Sequence, residues 1–143
     1  MTQRHAVLLL AIAVLATTPS CRRTTAPQDV PTTSRATLAV GEAFAPAGTN
    51  LRISFDRVNS DSRCPIDVVC VQAGTAEIVI SVREDRAGSA SQSYVLRSFA
   101  EPREVVIGGY RVRLEDVTPS PRAGVPIATS AYRITLSATA LPD

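Results

Sequence analysis

The chain has no lysine and no tryptophan, and its only histidine, His5, and only methionine, Met1, stand within its first five residues. Aromatic residues are scarce, three Phe and three Tyr. Each shortage closes a chemistry. Once a leader containing His5 is removed, Ser-His-Asp and Cys-His catalysis lack their base. Without lysine there is no Schiff base, no Ser-Lys pair and no phosphate-loop lysine. What survives is a pair of carboxylates acting as acid and base, as in glycosidases, but the few aromatics leave little platform for a sugar. Charge of one sign is also missing. The formal net charge is +2, and every basic residue is arginine, so no electrostatic footprint for nucleic acid is present.

Long apolar runs are confined to Ala6–Ala16 (AVLLLAIAVLA), behind Arg4 and His5. That run is shorter than the roughly 20 residues a bilayer span needs, and it has the layout of an export signal over residues 1–20. Two cuts are open. Val14-Leu15-Ala16 suits simple secretion with cleavage near Ala16, whereas Thr18-Pro19-Ser20-Cys21 resembles a lipoprotein processing site. Cysteine number favours the second. Of three cysteines, lipidation of Cys21 removes the odd one and leaves Cys64 and Cys70 to pair. The expected location is therefore a bacterial cell envelope, with the membrane as a partner through a lipid anchor.

Residues 21–35 hold the candidate lipidated cysteine and a Thr/Pro-rich stretch without apolar periodicity, which predicts a tether. Fully stretched it would reach about 45 Å. From residue 36 to 143 the pattern changes to a period of two. Leu51, Ile53 and Phe55 alternate with polar residues, as do Tyr110, Val112 and Leu114 and also Tyr132, Ile134 and Leu136, while Ile78, Ile80 and Val82 alternate with Glu77, Val79 and Ser81. Weaker strands are expected near 36–42, 92–99 and 103–108, with Gly108-Gly109 as a hairpin turn. About seven short strands predict a single all-β domain, an antiparallel β-sandwich of immunoglobulin-like kind. The segments LRISFDRVNSDSR (51–63) and YRVRLEDVTPSPR (110–122) align without gaps, which suggests two similar halves. In both, an odd offset from Phe55 to Val58 and from Leu114 to Val117 requires a bulge to keep one face inward.

The segment DSRCPIDVVC interrupts this strand pattern. A zinc site would need four ligands and there is no histidine left to supply one. A redox pair favours Cys-x-x-Cys at a helix start, and the spacing here differs. A local disulfide between Cys64 and Cys70 is the reading that remains, closing a ring worth about 2 to 2.5 kcal/mol by the loop-entropy model. Asp56, Asn59, Asp61 and Asp67 could offer oxygens to calcium, but their spacing matches no calcium loop, and Asp61 is better placed to cap a turn. No metal and no other cofactor is expected. Asp61, Arg63 and Asp67 are the candidate partner-binding residues of the loop, with a surface salt bridge as the plainer role for Arg63.

The run DSRCPIDVVCVQAGTAEIVI resembles a segment of small bacterial secreted proteins and lipoproteins that carry Asp-Ser-Arg-Cys-Pro, about four residues, Cys-Val, an aromatic and Ala-Gly before a strand. Gln72 stands where that pattern has the aromatic. The resemblance implies export and an all-β domain, and no particular activity. The expected function is a non-catalytic envelope module that binds a protein or glycan, or an accessory subunit. A calcium- or carboxylate-dependent extracytoplasmic enzyme and a simple secreted protein are the alternatives.

Overall fold

The computed structural model describes residues 32–86 and 88–142, so the expected signal peptide, the Ala16 cut and Cys21 lie outside the described residues. Eight strands follow one another: β1 (Thr33–Ala39), β2 (Ala43–Phe44), β3 (Leu51–Asp61), β4 (Ala76–Glu84), β5 (Gln92–Arg97), β6 (Glu104–Ile107), β7 (Tyr110–Thr118) and β8 (Arg133–Ala140). They form two antiparallel four-stranded sheets, ordered β2-β3-β4-β5 and β1-β8-β7-β6. The expected β-sandwich is present. Its connections are simpler than the Greek-key order of immunoglobulin domains. β2, β3, β4 and β5 lie side by side in sequence order, as do β6, β7 and β8, and β1 closes the second sheet next to β8. Period-two alternation specifies which face of a strand is buried but not which strand is its neighbour, so short connections settled the order.

Two boundaries differ from expectation. The first strand starts at Thr33, inside the stretch expected to be tether, because Thr33, Ser34 and Arg35 pair with Thr139, Ala138 and Ser137 of β8. This edge strand is held by backbone bonds and by a Thr33–Thr139 hydroxyl contact of 2.9 Å, and such polar pairing leaves no apolar period to read. The extra strand, β2, is only two residues long.

The core is built from the alternating positions. Leu51, Ile53 and Phe55 of β3 and Ile78 and Ile80 of β4 face Val112 and Leu114 of β7 and Ile134 and Leu136 of β8, all fully or almost fully buried. Both expected bulges are present, at equivalent places. In β3, Phe55 pairs with Ile80 but Arg57 with Val79; in β7, Leu114 pairs with Leu136 but Asp116 with Thr135. The inserted residues, Asp56 and Glu115, turn Val58 and Val117 back toward the core. The two halves thus share the first bulge, although β3 has a further register shift between Val58 and Ser60 that β7 lacks, and β3 and β7 are each central in their sheet. Gly108 and Gly109 both have positive φ, 55° and 79°, and form the β6–β7 turn.

Candidate functional site

Antiparallel pairing sorts the connections to two ends of the sandwich. Ala39 and Thr118 both pair with Arg133, and the Ile66 N–H donates to the Pro121 carbonyl, so the loops 62–75 and 119–132 share one end, while Thr33, paired with Thr139, lies at the other. The strands separate these ends by about 25 Å. The loop that interrupts the sequence pattern is therefore distal to the point where the N-terminal segment joins the sandwich.

Asp61 and Arg63 do not project from that end. Their side chains are 10% and 6% exposed, and the ion pair between them is buried rather than superficial. The Arg63 guanidinium donates from Nε to Asp61 Oδ1 at 2.9 Å and from Nη2 to Asp61 Oδ2 at 2.7 Å, a bidentate fork. Its remaining N–H groups reach across to the other half of the chain. Nη1 donates to the Val117 carbonyl and Nη2 to the Pro119 carbonyl at 2.8 Å. Asp61 Oδ1 also accepts the Arg63 backbone N–H at 3.1 Å, the turn-capping role the sequence suggested, and Oδ2 accepts the Tyr132 hydroxyl at 3.0 Å. One carboxylate and one guanidinium thus tie the end of β3 to the end of β7 and the start of β8. The surface role for Arg63 is corrected by this burial, and its aligned counterpart Arg122 is exposed.

Burial pushes the Asp61 carboxyl up, but the Arg63 side-chain and backbone donors, the Arg63 charge and the Tyr132 hydroxyl outweigh it and hold it below the usual carboxylate range. Burial, followed by the Asp61 hydrogen bond and charge, raises the Tyr132 phenol. The depressed Asp61 value has a definite sign for stability. An unfolded Asp titrates near about 3.9, so between that value and the lower folded one the unfolded chain binds more protons. The clasp contributes fully above about pH 4 and is lost as pH falls through the folded value. Unfolding free energies measured from about pH 5 down to about pH 2 are expected to fall more steeply for the native chain than for Asp61→Asn. Parallel curves would show that Asp61 is not the titrating group.

Above this clasp sits the cysteine loop. Cys64 and Cys70 lie at disulfide distance, with Cα atoms 6.0 Å apart. The loop is docked on its counterpart in the other half: Ile66 N–H donates to the Pro121 carbonyl at 3.0 Å, and Asp67 Oδ1 accepts the Ala123 N–H at 2.9 Å. Asp67 is exposed but serves this internal contact. With its base fixed, the loop turns its aliphatic side chains outward. Val69 and Val71 are fully exposed, and Ile66 and Val68 are 60% and 46% exposed. Val125 is 58% exposed on the neighbouring loop, where it lines a hollow of about 260 Å³ together with Pro126, Ile127 and Ala128.

The charged residues expected to meet a partner, Asp61, Arg63 and Asp67, are the support of this loop instead. The valines carry no such signal in sequence, because a run such as Ile-Asp-Val-Val-Cys-Val reads as core when no fold is known. The candidate calcium oxygens do not converge. Asp56 accepts from Ser81, Asp61 is taken by Arg63 and Tyr132, and Asp67 holds Ala123. Among the described residues no three Cys, Asp or Glu side chains gather as metal ligands. No family model, curated protein or solved structure matches this chain.

Proposed function

We propose that the chain is a non-catalytic cell-envelope lipoprotein, anchored through Cys21, whose sandwich presents the loop 64–71 to a protein partner. The observation that carries this reading is the set of four outward aliphatic side chains, Ile66, Val68, Val69 and Val71, on a loop whose base is pinned by Cys64–Cys70, Asp67 and Arg63. Four exposed aliphatic side chains gathered within one short loop mark an interaction site. Fixing the loop beforehand lowers the ordering cost of binding. A protein groove suits this tip better than a bilayer or a glycan. Membrane-surface contacts favour Trp, Tyr and basic residues, and residues 64–71 contain none of these. The loop's location at the end away from Thr33 agrees with display by an N-terminal anchor.

The test has two parts. Intact mass of the chain from an envelope fraction, without reductant, should give a diacylglyceryl or triacyl adduct on a chain beginning at Cys21. A photo-crosslinking residue in place of Val69 should then form one discrete adduct in cells, and the same residue at Arg111 on the opposite sheet should not. Val69→Asp with Val71→Asp is expected to lower capture at least about tenfold while changing stability by no more than about 0.5 kcal/mol, since both side chains are fully exposed. Absence of a lipid, or a smear of adducts equal at both positions, refutes the corresponding part of the reading.

A further inference from the structure

At the end of the sandwich opposite the cysteine loop, β3 and β4 place Arg52 directly across from Arg83 on the outward face. Like charges in this position destabilise a sheet unless something neutralises them. Several other strand arginines are neutralised, Arg97 by Glu77, Arg111 and Arg113 by Glu104, and Arg35 by Glu115; Arg57 and Arg133 also lack an ion pair, but neither stands opposite another arginine. Neither Arg52 nor Arg83 forms an ion pair with any described residue. Between them lies a shallow cleft of about 170 Å³ walled by Arg52, Ser54, Arg83 and Ser91. In the next row Ser54 faces Ser81, whose hydroxyl donates to Asp56, and Ser81 faces Ser93.

We infer that this cleft binds a phosphate group. Two guanidinium forks and the Ser54 and Ser91 hydroxyls form a cluster of donors with two unneutralised positive charges. A carboxylate has two oxygens, which a single fork occupies. A phosphate offers three or more oxygens and up to two negative charges, enough to engage both forks and a hydroxyl together. The cleft has room for one such group and not for a drug-sized ligand. The phosphate can belong to a soluble phosphate or monoester, or to a lipid headgroup; the cleft shares its end of the sandwich with Thr33, where the chain enters. The inference stands apart from the cysteine-loop reading, which concerns the other end.

Isothermal titration of inorganic phosphate into the full chain, at ionic strength held constant with chloride, tests it. Binding should weaken at least tenfold in Arg52→Gln and in Arg83→Gln, and less in the Arg52→Lys, Arg83→Lys double variant. In phosphate-free buffer Arg83→Gln should melt no lower than the native chain, because it removes a repulsion. Phosphate should raise the melting temperature of the native chain and not that of the Arg52→Gln, Arg83→Gln double variant. Val69→Asp should bind phosphate normally, so failure of this site is distinguishable from failure of the loop. Vesicles of phosphatidylglycerol and of phosphatidylcholine separate the sources. An excess of binding to phosphatidylglycerol that disappears in the Arg52→Gln, Arg83→Gln variant identifies a headgroup, and vesicle binding unaffected by the variant identifies a soluble phosphate. No heat of phosphate binding in the native chain, or equal affinity in the native and doubly substituted chains, overturns the inference.

Discussion

Arg63→Ala is expected to cost about 3 to 5 kcal/mol of unfolding free energy, the range for removing one partner of a buried ion pair. The loss has two parts. Asp61, 10% exposed, keeps its charge without the guanidinium that neutralised it, and the Val117 and Pro119 carbonyls lose their donor. Each buried polar group left unsatisfied costs about 1 to 3 kcal/mol. A control separates charge burial from simple truncation. Arg63→Met combined with Asp61→Leu removes both charges while retaining apolar bulk, and it should recover part of the loss, because buried pairs replaced by packed apolar residues are often near neutral. Tyr132→Phe removes a single hydrogen bond and should cost only about 1 kcal/mol. Urea unfolding midpoints read all three. If Arg63→Ala unfolds within about 1 kcal/mol of the native chain, the clasp is not what joins the halves.

Gly74→Ala is expected to be as damaging for a different reason. A Cβ at this position would stand 1.6 Å from the Ser62 carbonyl oxygen, 2.4 Å from its carbon and 2.8 Å from Ser62 Oγ. Two of these are backbone atoms that cannot rotate away. They are held in place by the Ser62 N–H donating to the Thr75 carbonyl at 3.0 Å and the Thr75 N–H donating to Ser62 Oγ at 3.1 Å. Here glycine is required by close approach between the two stems of the cysteine loop, not by a left-handed backbone. Overpacking costs about 1 to 3 kcal/mol when side chains can shift, so a clash with backbone should reach about 3 kcal/mol or more. The expected damage is local: the loop must lift from β4, and the partner contact proposed for Val69 should weaken with it. Proteolysis within residues 62–75, compared between the native chain and Gly74→Ala, reads this opening. Equal stability and equal protection would show that the stems do not approach as closely as described.

The role of Gly74 was not legible from sequence, because a glycine beside a loop is as common for turn geometry as for backbone contact. The charged residues were misread for a related reason. Asp61 and Arg63 in a hydrophilic segment look like surface, and only the carbonyls of Val117 and Pro119, more than fifty positions away, make Arg63 an interior group. The bulges, by contrast, were legible in advance. An odd offset between apolar positions in a strand of period two has few solutions, and Phe55/Arg57 and Leu114/Asp116 adopt the same one.

By itself the sequence determined the all-β class, the buried face of each long strand, the two matching bulges and the pairing partners Cys64 and Cys70. These follow from local periodicity and from covalent spacing, which one segment can encode alone. Tertiary structure alone decided which strands are neighbours, that Arg63 is a clasp between halves, that Val69 and Val71 face solvent, and that Arg52 stands across from Arg83. Each of those depends on what a distant part of the chain covers or leaves bare, and burial is a property of the packed pair rather than of either segment.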